Sequence, residues 1–237
     1  MKKISALIVT AALLFGFAGC SETAPEEISK PDWWVEPTPT PDGSNLRKKG
    51  EPFTVQQISS WEDEGPKYTI LEIAALDYEV FDSFQDTGLP EEDGYLLSDQ
   101  TFVLVKVKIK VLEGPSEKPK EREDWLRANA FCLYSKKQQE NKKRGIIEDI
   151  SALELNYFSG IDQTLERDDE FWNHYSAYWL DVGEEKTFEI GFCLDDAEEL
   201  AKYKDYNPEN MFCSVEDGPI LAYDNGTGAA PMVDLDS

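Results

Sequence analysis

Histidine is almost absent from this chain: His174 is the only one among its 237 residues. A Ser-His-Asp or Cys-His catalytic group would have to use that single residue, and the nucleophile-elbow pattern G-x-S-x-G does not occur. One histidine and dispersed thiols, with no Cys-x-x-Cys pair, do not make an ordinary zinc site either. The sequence therefore indicates neither nucleophilic catalysis nor a metal or cofactor, and we expect His174 to be a packed or surface residue.

Positive charge is also scarce. The chain has 23 lysines and arginines against 48 aspartates and glutamates, which gives a net charge of −25. Nucleic acid phosphates need lysine and arginine partners, so we expect no nucleic acid partner. The hydrophobic fraction of 41% and the aromatic fraction of 12% are nonetheless too high for a disordered chain, and the length fits one globular domain.

The abundant carboxylates form clusters without a recognisable site pattern. Glu91-Glu92-Asp93, Asp168-Asp169-Glu170 and Asp195-Asp196 could offer oxygen ligands to calcium, but none follows the loop pattern D-x-[DN]-x-[DN]-G. A glycosidase with paired carboxylates needs a cleft, which a sequence does not reveal. We therefore expect these clusters to be solvated acidic loops.

A long apolar run occurs once, at Ile4 to Phe17, and it is too short to span a bilayer, which needs roughly 20 apolar residues. Lys2-Lys3 precede the run and Ala18-Gly19-Cys20 follow it, which is the arrangement of a secretory signal peptide over residues 1–19. Its end resembles the lipobox of bacterial lipoprotein signals. The resemblance implies that Cys20 carries lipid, including palmitate, and anchors the protein at the extracellular face of the cell membrane.

Residues 20–51 form a predicted Pro-rich acidic tether. Five prolines between residues 25 and 41 fix φ and lack an N–H, so this stretch should stay extended and solvated. Trp33 and Trp34 are unusual in such a segment. They either rest on lipid headgroups or make the first contact with the folded domain, and the flanking acidic residues favour the second alternative.

Three cysteines remain if Cys20 carries lipid: Cys132, Cys193 and Cys213. Three cysteines allow at most one intramolecular disulfide, so the chain is not a disulfide scaffold. Each one follows a phenylalanine in an apolar context, which favours buried free thiols. A single disulfide in an oxidising exterior is the alternative, with Cys193 and Cys213 the preferred pair.

The clearest strand runs from Thr101 to Leu112, where valines and isoleucine at odd positions alternate with lysines at even positions. This period of two indicates a half-buried strand of an antiparallel sheet. A hairpin is expected around Gly183, between 175–182 and 186–194. Helix evidence is limited to a short capped turn after Asp195-Asp196. Weaker strands are predicted at 68–75, 78–84, 128–134, 146–157 and 211–215, the last continuing near 220–223, and residues 218–237 should end in a loose acidic tail.

A tether after a lipidated cysteine, a strand FVLVKVKIKV and a Gly183-Glu184-Glu185 turn leading into TFEIGFCLD together resemble uncharacterised lipoproteins of Gram-positive bacteria. Their C-terminal domains are immunoglobulin-like, of the telokin-like sort. The resemblance covers roughly residues 53–237. It implies an all-β fold, an immunoglobulin-like antiparallel β-sandwich with inserted loops over residues 52–237. It supplies no catalytic or ligand residue.

Residues 171–179 are the densest aromatic stretch. Alternation would place Trp172 and Tyr178 on one face, and such a face is either core or a binding surface for a sugar or peptide. A second candidate is the basic pair of runs Lys136-Lys137 and Lys142-Lys143-Arg144. It is either a solvated hairpin loop or a contact with anionic wall polymer or membrane.

The function that fits these features is a non-catalytic binding or interaction module at the cell surface. Its partners would be the membrane, through covalent lipid, and an envelope protein or glycan, with no nucleic acid. The alternative is a lipid-anchored envelope hydrolase using carboxylates. Converging carboxylates in a pocket would favour the hydrolase, whereas an exposed aromatic patch would favour binding.

Replacing the predicted lipid attachment residue, Cys20→Ala, should leave the precursor uncleaved by the lipoprotein signal peptidase, because the thiol that receives the lipid is missing. Metabolic labelling with a fatty-acid probe, followed by electrophoresis, measures this. We expect labelled wild-type protein and an unlabelled, larger variant. Equal labelling of both proteins would contradict the assignment.

Overall fold

The structure, a computed structural model, describes residues 46–62, 65–89, 99–118, 126–160, 177–204, 207–224 and 232–237. These residues form twelve strands and two short α-helices. The strands are β1 Arg47–Lys48, β2 Phe53–Glu62, β3 Gly65–Phe81, β4 Phe102–Glu113, β5 Leu126–Arg127, β6 Phe131–Ser135, β7 Leu153–Glu154, β8 Tyr157–Phe158, β9 Ala177–Tyr178, β10 Glu185–Cys193, β11 Pro219–Tyr223 and β12 Met232–Asp234; the helices are α1 Lys136–Lys143 and α2 Ala197–Leu200.

Two five-stranded sheets face each other across one core. Sheet I has the order β1-β12-β11-β6-β7, sheet II has the order β2-β3-β4-β10-β8, and β5 with β9 forms a separate short ladder. All pairings are antiparallel except that of β1 with β12, which is parallel. Buried side chains of both sheets form one hydrophobic cluster. The prediction of an all-β sandwich is therefore confirmed.

Strand β4 is the centre of sheet II, paired with β3 on one side and β10 on the other. Its residues Val103, Val105, Val107 and Ile109 are fully buried between the sheets, as the alternation predicts. Burial of a side chain of this size contributes about 1.5–3 kcal/mol, so this face alone stabilises the sandwich by several kcal/mol before entropy is counted.

The outer face of β4 is a row of lysines between two rows of acidic residues. Lys106 lies opposite Asp77 of β3 and Glu189 of β10 in the strand register. Lys108 forms an ion pair with Glu185, with Nζ 3.4 Å from Oε2. Cross-strand pairs of opposite charge contribute roughly 0.2–1 kcal/mol each. The lysines therefore belong to the sheet surface and offset part of the chain's negative charge.

Strand β3 corrects the prediction of two separate strands at 68–75 and 78–84. It is one continuous strand of 17 residues, with a register shift between Ile70 and Leu71 and a bulge between Ala75 and Asp77. The bulge inserts Leu76 into the strand and reverses the faces of the residues that follow. The alternation therefore breaks in the sequence although the strand continues.

The predicted hairpin around Gly183 is also wrong. Gly183 does occupy a turn, with φ of +86°, but β9 pairs with β5 and β10 pairs with β4 and β8. The turn instead binds the end of β4: the Gly183 N–H donates to the Val111 carbonyl at 2.8 Å, and the Val111 N–H donates to Glu184 at 3.1 Å. Gly183 in the sequence predicted that the chain turns at this point, but it did not predict which strands pair with β9 and β10.

Residues 218–224 and 232–237 are folded, contrary to the predicted acidic tail. Residues 219–223 and 232–234 form β11 and β12 of sheet I, and Val233 and Leu235 are fully buried. The strand predicted at 211–215 is not present, and Val215–Asp217 instead form a 3₁₀ turn with Ser214 as its N-cap. Strand β1 pairs with β12, so sheet I includes residues that were predicted to be tether.

Helix α1 occupies the basic stretch that was predicted to be a hairpin loop. Ser135 and Gln138 form a reciprocal capping box, which fixes the start of the helix. Gln138 is fully buried, and its amide donates to the carbonyls of Ser151 and Asn210 at 2.8 and 2.7 Å. The predicted short helix after Asp195-Asp196 is present as α2, with Asp196 as its N-cap. Among the described residues, neither helix has the length and apolar composition needed to cross a membrane.

The two faces of β4 should respond differently to the same new side chain. We expect Val105→Asn to destabilise the fold by more than about 3 kcal/mol, because it leaves an amide without partners in the core. Lys106→Asn, one residue along on the outer face, should cost less than about 1 kcal/mol. Urea unfolding of both variants measures the difference; similar losses would contradict the observed register.

Candidate binding face

The structure describes only some of the residues that the sequence singled out. Cys20, Trp172 and His174 lie outside the described residues, as do the acidic clusters at 91–93 and 168–170. Tyr178, Cys193 and Cys213 are described. The sequence predicts that Trp172 and Tyr178 share one face. The structure describes Tyr178 but not Trp172, so this stays a prediction.

Tyr178 lies in β9 opposite Leu126 of β5 and is half-buried. Its ring packs edge-to-face against the core residue Phe188, with the centroids 5.0 Å apart. The Lys186 ammonium lies 4.2 Å from the Tyr178 ring centroid and donates a hydrogen bond to the phenol oxygen. One edge of the ring thus anchors in the core, while a cation lies at its outer side.

The turn that follows β9 brings apolar side chains to the surface beside Tyr178. The Trp179 indole N–H donates to the Asp181 carboxylate at 2.9 Å, and the Asp181 N–H donates to the Glu184 carboxylate at 3.0 Å. These bonds hold the turn so that Val182 is 49% exposed. Leu112, at the end of β4 where the turn binds, is 37% exposed, but as an even-numbered residue of β4 it lies on the outer face of sheet II, whereas Tyr178 packs against the inward-facing Phe188. We call Tyr178, Trp179, Val182 and Lys186 the Tyr178 corner.

The Asp195-Asp196 pair is engaged in local structure. A carboxylate oxygen of Asp195 accepts the Phe212 N–H at 2.9 Å, while the Asp195 N–H donates to the Phe212 carbonyl. Burial raises the pKa of Asp195, and the Phe212 bond opposes that shift. Asp196 accepts two N–H groups of α2. Across the part of the chain that the structure describes, no three potential metal ligands cluster together.

A polar cluster that the sequence did not indicate joins the two sheets. The Tyr78 hydroxyl of β3 donates to the Asp236 carboxylate at 2.6 Å, and Lys136 contacts Asp234 at 2.7 Å and Asp236 at 3.5 Å. Burial, and after it the hydrogen bond and charge of Asp236, raises the pKa of Tyr78 to about 12. Since 158 residues separate Tyr78 from Asp236, no local pattern could have revealed the contact.

We call this cluster the Tyr78–Asp236 clamp; its members are Lys49, Asp77, Tyr78, Lys136, Asp234 and Asp236. Lys49 binds Asp77 at 3.3 Å and lies 5.5 Å from the Tyr78 ring centroid. The hydrogen bond with Lys49 is the main reason that the pKa of Asp77 is lowered. Each carboxylate of the cluster therefore has an ammonium or hydroxyl partner, and these contacts connect the two sheets.

The three described cysteines are free thiols, so the preferred Cys193–Cys213 disulfide is not present. Cys193 packs on the outer face of sheet II against a cluster that includes Phe102 and Tyr157. Cys213 instead lies in the field of Asp195, Asp217 and Lys137. The two thiols thus lie in different surroundings. Burial raises the pKa of Cys132 and Cys193 to about 11.

Comparison of the chain with known protein families, curated proteins and solved structures finds no significant match in any of them. The arguments on function below therefore use only the residues and their geometry.

The thiol environments predict how the cysteines react. A pKa of about 11 leaves roughly a hundredfold less thiolate at pH 8 than an ordinary cysteine has, so Cys132 and Cys193 should alkylate slowly in the native protein. We expect all three to be labelled by iodoacetamide after unfolding without reductant, as measured by peptide mass spectrometry. Recovery of two of these cysteines in unlabelled, disulfide-linked peptides would contradict the assignment of free thiols.

Proposed function

We propose that this protein is a non-catalytic binding module, exported and anchored to the outer face of the cell membrane through lipid on Cys20. The signal-like N-terminus and the Pro-rich stretch support the anchor and the tether. The folded sandwich is the part that meets a partner. A sandwich suits this role because its rigid sheets present strand ends and turns at fixed positions.

The observation that carries the proposal is the exposed apolar surface of the Tyr178 corner. Val182 is 49% exposed in the turn that directly follows the two half-buried aromatic residues Tyr178 and Trp179, in a chain with a net charge of −25. Aromatic side chains with a polar tip are typical of binding surfaces, because they bury a large area at low entropic cost. Hydrogen bonds within the 181–184 turn hold Val182 in place before any partner arrives.

The partner class that fits is an envelope glycan or an envelope protein. Stacking on an aromatic ring suits a sugar, and a small apolar patch with charged neighbours suits a protein surface. The carboxylates that flank the corner, Asp181 and Glu184, accept hydrogen bonds from the turn itself. These bonds give both carboxylates a positioning role in the turn, which fits a binding module better than the alternative hydrolase.

Substitution of Val182 tests the binding proposal with little risk to the fold, since this side chain is half exposed. In detergent, which removes the contribution of the lipid anchor, we expect Val182→Asp to weaken cosedimentation of the full-length chain with detergent-extracted cell envelope at least fivefold, because a charge enters the apolar contact. Tyr203→Asp is the matched control, since Tyr203 is 61% exposed on a different segment. It should bind like wild type.

The same preparation distinguishes the hydrolase. Envelope incubated with the wild-type chain should release no soluble glycan, peptide or ester product above background, as measured by mass spectrometry. Product release that a single carboxylate-to-amide change abolishes would contradict the proposal. If wild type and Val182→Asp bind the envelope equally, the Tyr178 corner is not the binding surface.

A further inference from the structure

Strand β3 extends beyond the strand that covers its edge. The pairing of β2 with β3 reaches only from Glu62 opposite Gly65 to Phe53 opposite Ile73. One further contact follows, in which the Gly50 N–H donates to the Ala75 carbonyl at 2.7 Å. Past the bulge, β3 runs on to Phe81 with β4 on one side and no strand of the described residues on the other.

The hydrogen bonds of β4 define which peptide groups this open edge presents. Thr101 and Val111, both odd-numbered, bond to the β10 side of β4. Backbone groups alternate sides along a strand, so the even-numbered residues Phe102, Leu104 and Lys106 bond to β3. Their register partners there are Phe81, Glu79 and Asp77, respectively.

The residues between those partners must therefore direct their peptide groups outward. Tyr78 and Val80 alternate with Asp77, Glu79 and Phe81, so the N–H and C=O of Val80 and the C=O of Tyr78 face the open edge. The Ala75 carbonyl, which bonds to Gly50 on that same edge, agrees with this assignment. Val80 is 42% exposed, and Glu79 beside it is also exposed, so solvent reaches this edge.

The charges along the edge select its partner. Glu79 and Asp82 are exposed acidic residues three positions apart, and Asp77 beside them is paired with Lys49. Two copies paired antiparallel about Glu79 would place like charges opposite each other, in chains that each carry a net charge of −25. The bulge and the acidic residues thus resist self-association, as natural sheet edges commonly do. A positively charged strand would meet no such repulsion.

We propose that the Tyr78–Phe81 edge of β3 binds an extended, lysine- or arginine-rich peptide segment of another protein by strand addition. The partner's backbone continues sheet II through Val80, and its basic side chains pair with Glu79 and Asp82. The edge is independent of the Tyr178 corner, because Tyr78 lies opposite Val105 near one end of β4 and the corner lies at the other end. Either surface can fail its test while the other stands.

A labelled ten-residue peptide of alternating lysine and valine is the probe, titrated against the full-length chain in detergent by fluorescence anisotropy. We expect saturable binding to wild type. Val80→Pro should weaken it at least tenfold, because proline removes the outward N–H while an edge position tolerates proline. Val80→Thr, which keeps the N–H, should stay within twofold of wild type. The same peptide N-methylated at alternate residues should bind at least tenfold more weakly.

Charge and location have separate controls. Glu79→Lys should weaken binding at least threefold, whereas Glu198→Lys, an equal change of net charge on the exposed face of α2, should have less than a twofold effect. Hydrogen exchange of the complex should slow in the segment containing Val80. No binding, equal effects of the two lysine variants, or full binding of both Val80→Pro and the N-methylated peptide would overturn the proposal. A wild-type dimer that Val80→Pro dissociates would also overturn it, because the occupant would then be a second copy.

Discussion

The burial of one face of β4 is the interaction on which the rest of the structure depends. Alternating valines and isoleucine from Val103 to Val111 lie between the two sheets, and β4 is the central strand of sheet II. Because successive side chains of a strand point to opposite faces, the same residues that fill the core also fix the lysines on the outer surface. Strands β3 and β10 take their register from this strand, and the open edge of β3 and the turn at Gly183 take their positions from it in turn.

Negative charge is the second constraint, and the described residues meet it by local pairing. Asp196 caps a helix, Asp195 accepts a backbone N–H, and Asp234 and Asp236 bind Lys136. These carboxylates take part in local structure, which explains how an acidic chain can hold many of them without a shared site among the described residues. On the β3 edge, Asp77 is paired with Lys49, whereas Glu79 and Asp82 are exposed beside it. The charge of Glu79 and Asp82 can therefore discriminate between partners.

The two proposed surfaces use different chemistry at different ends of sheet II. The Tyr178 corner offers apolar and aromatic side chains on a turn, and the β3 edge offers peptide groups with acidic neighbours. The first can accept a glycan or a protein surface, whereas the second requires an extended polypeptide. If both proposals hold, the domain binds one partner through side chains of the Tyr178 corner and a second through the backbone of the β3 edge.

The sequence by itself determined the all-β class, the β4 strand with its buried face, the Asp196 cap and the alternation of β10, since each follows from the period or chemistry of neighbouring residues. Only the tertiary structure decided which strands pair. It joined β10 to β4 rather than to β9, and it placed residues 219–223 and 232–234 in sheet I rather than in a tail. The sequence singled out Tyr178 because aromatic residues cluster locally, and the structure shows its ring packed against Phe188. The Tyr78–Asp236 clamp and the open β3 edge could not be predicted. Contacts between residues far apart in the chain leave no local pattern in the sequence, and neither does the point where one strand extends beyond its neighbour.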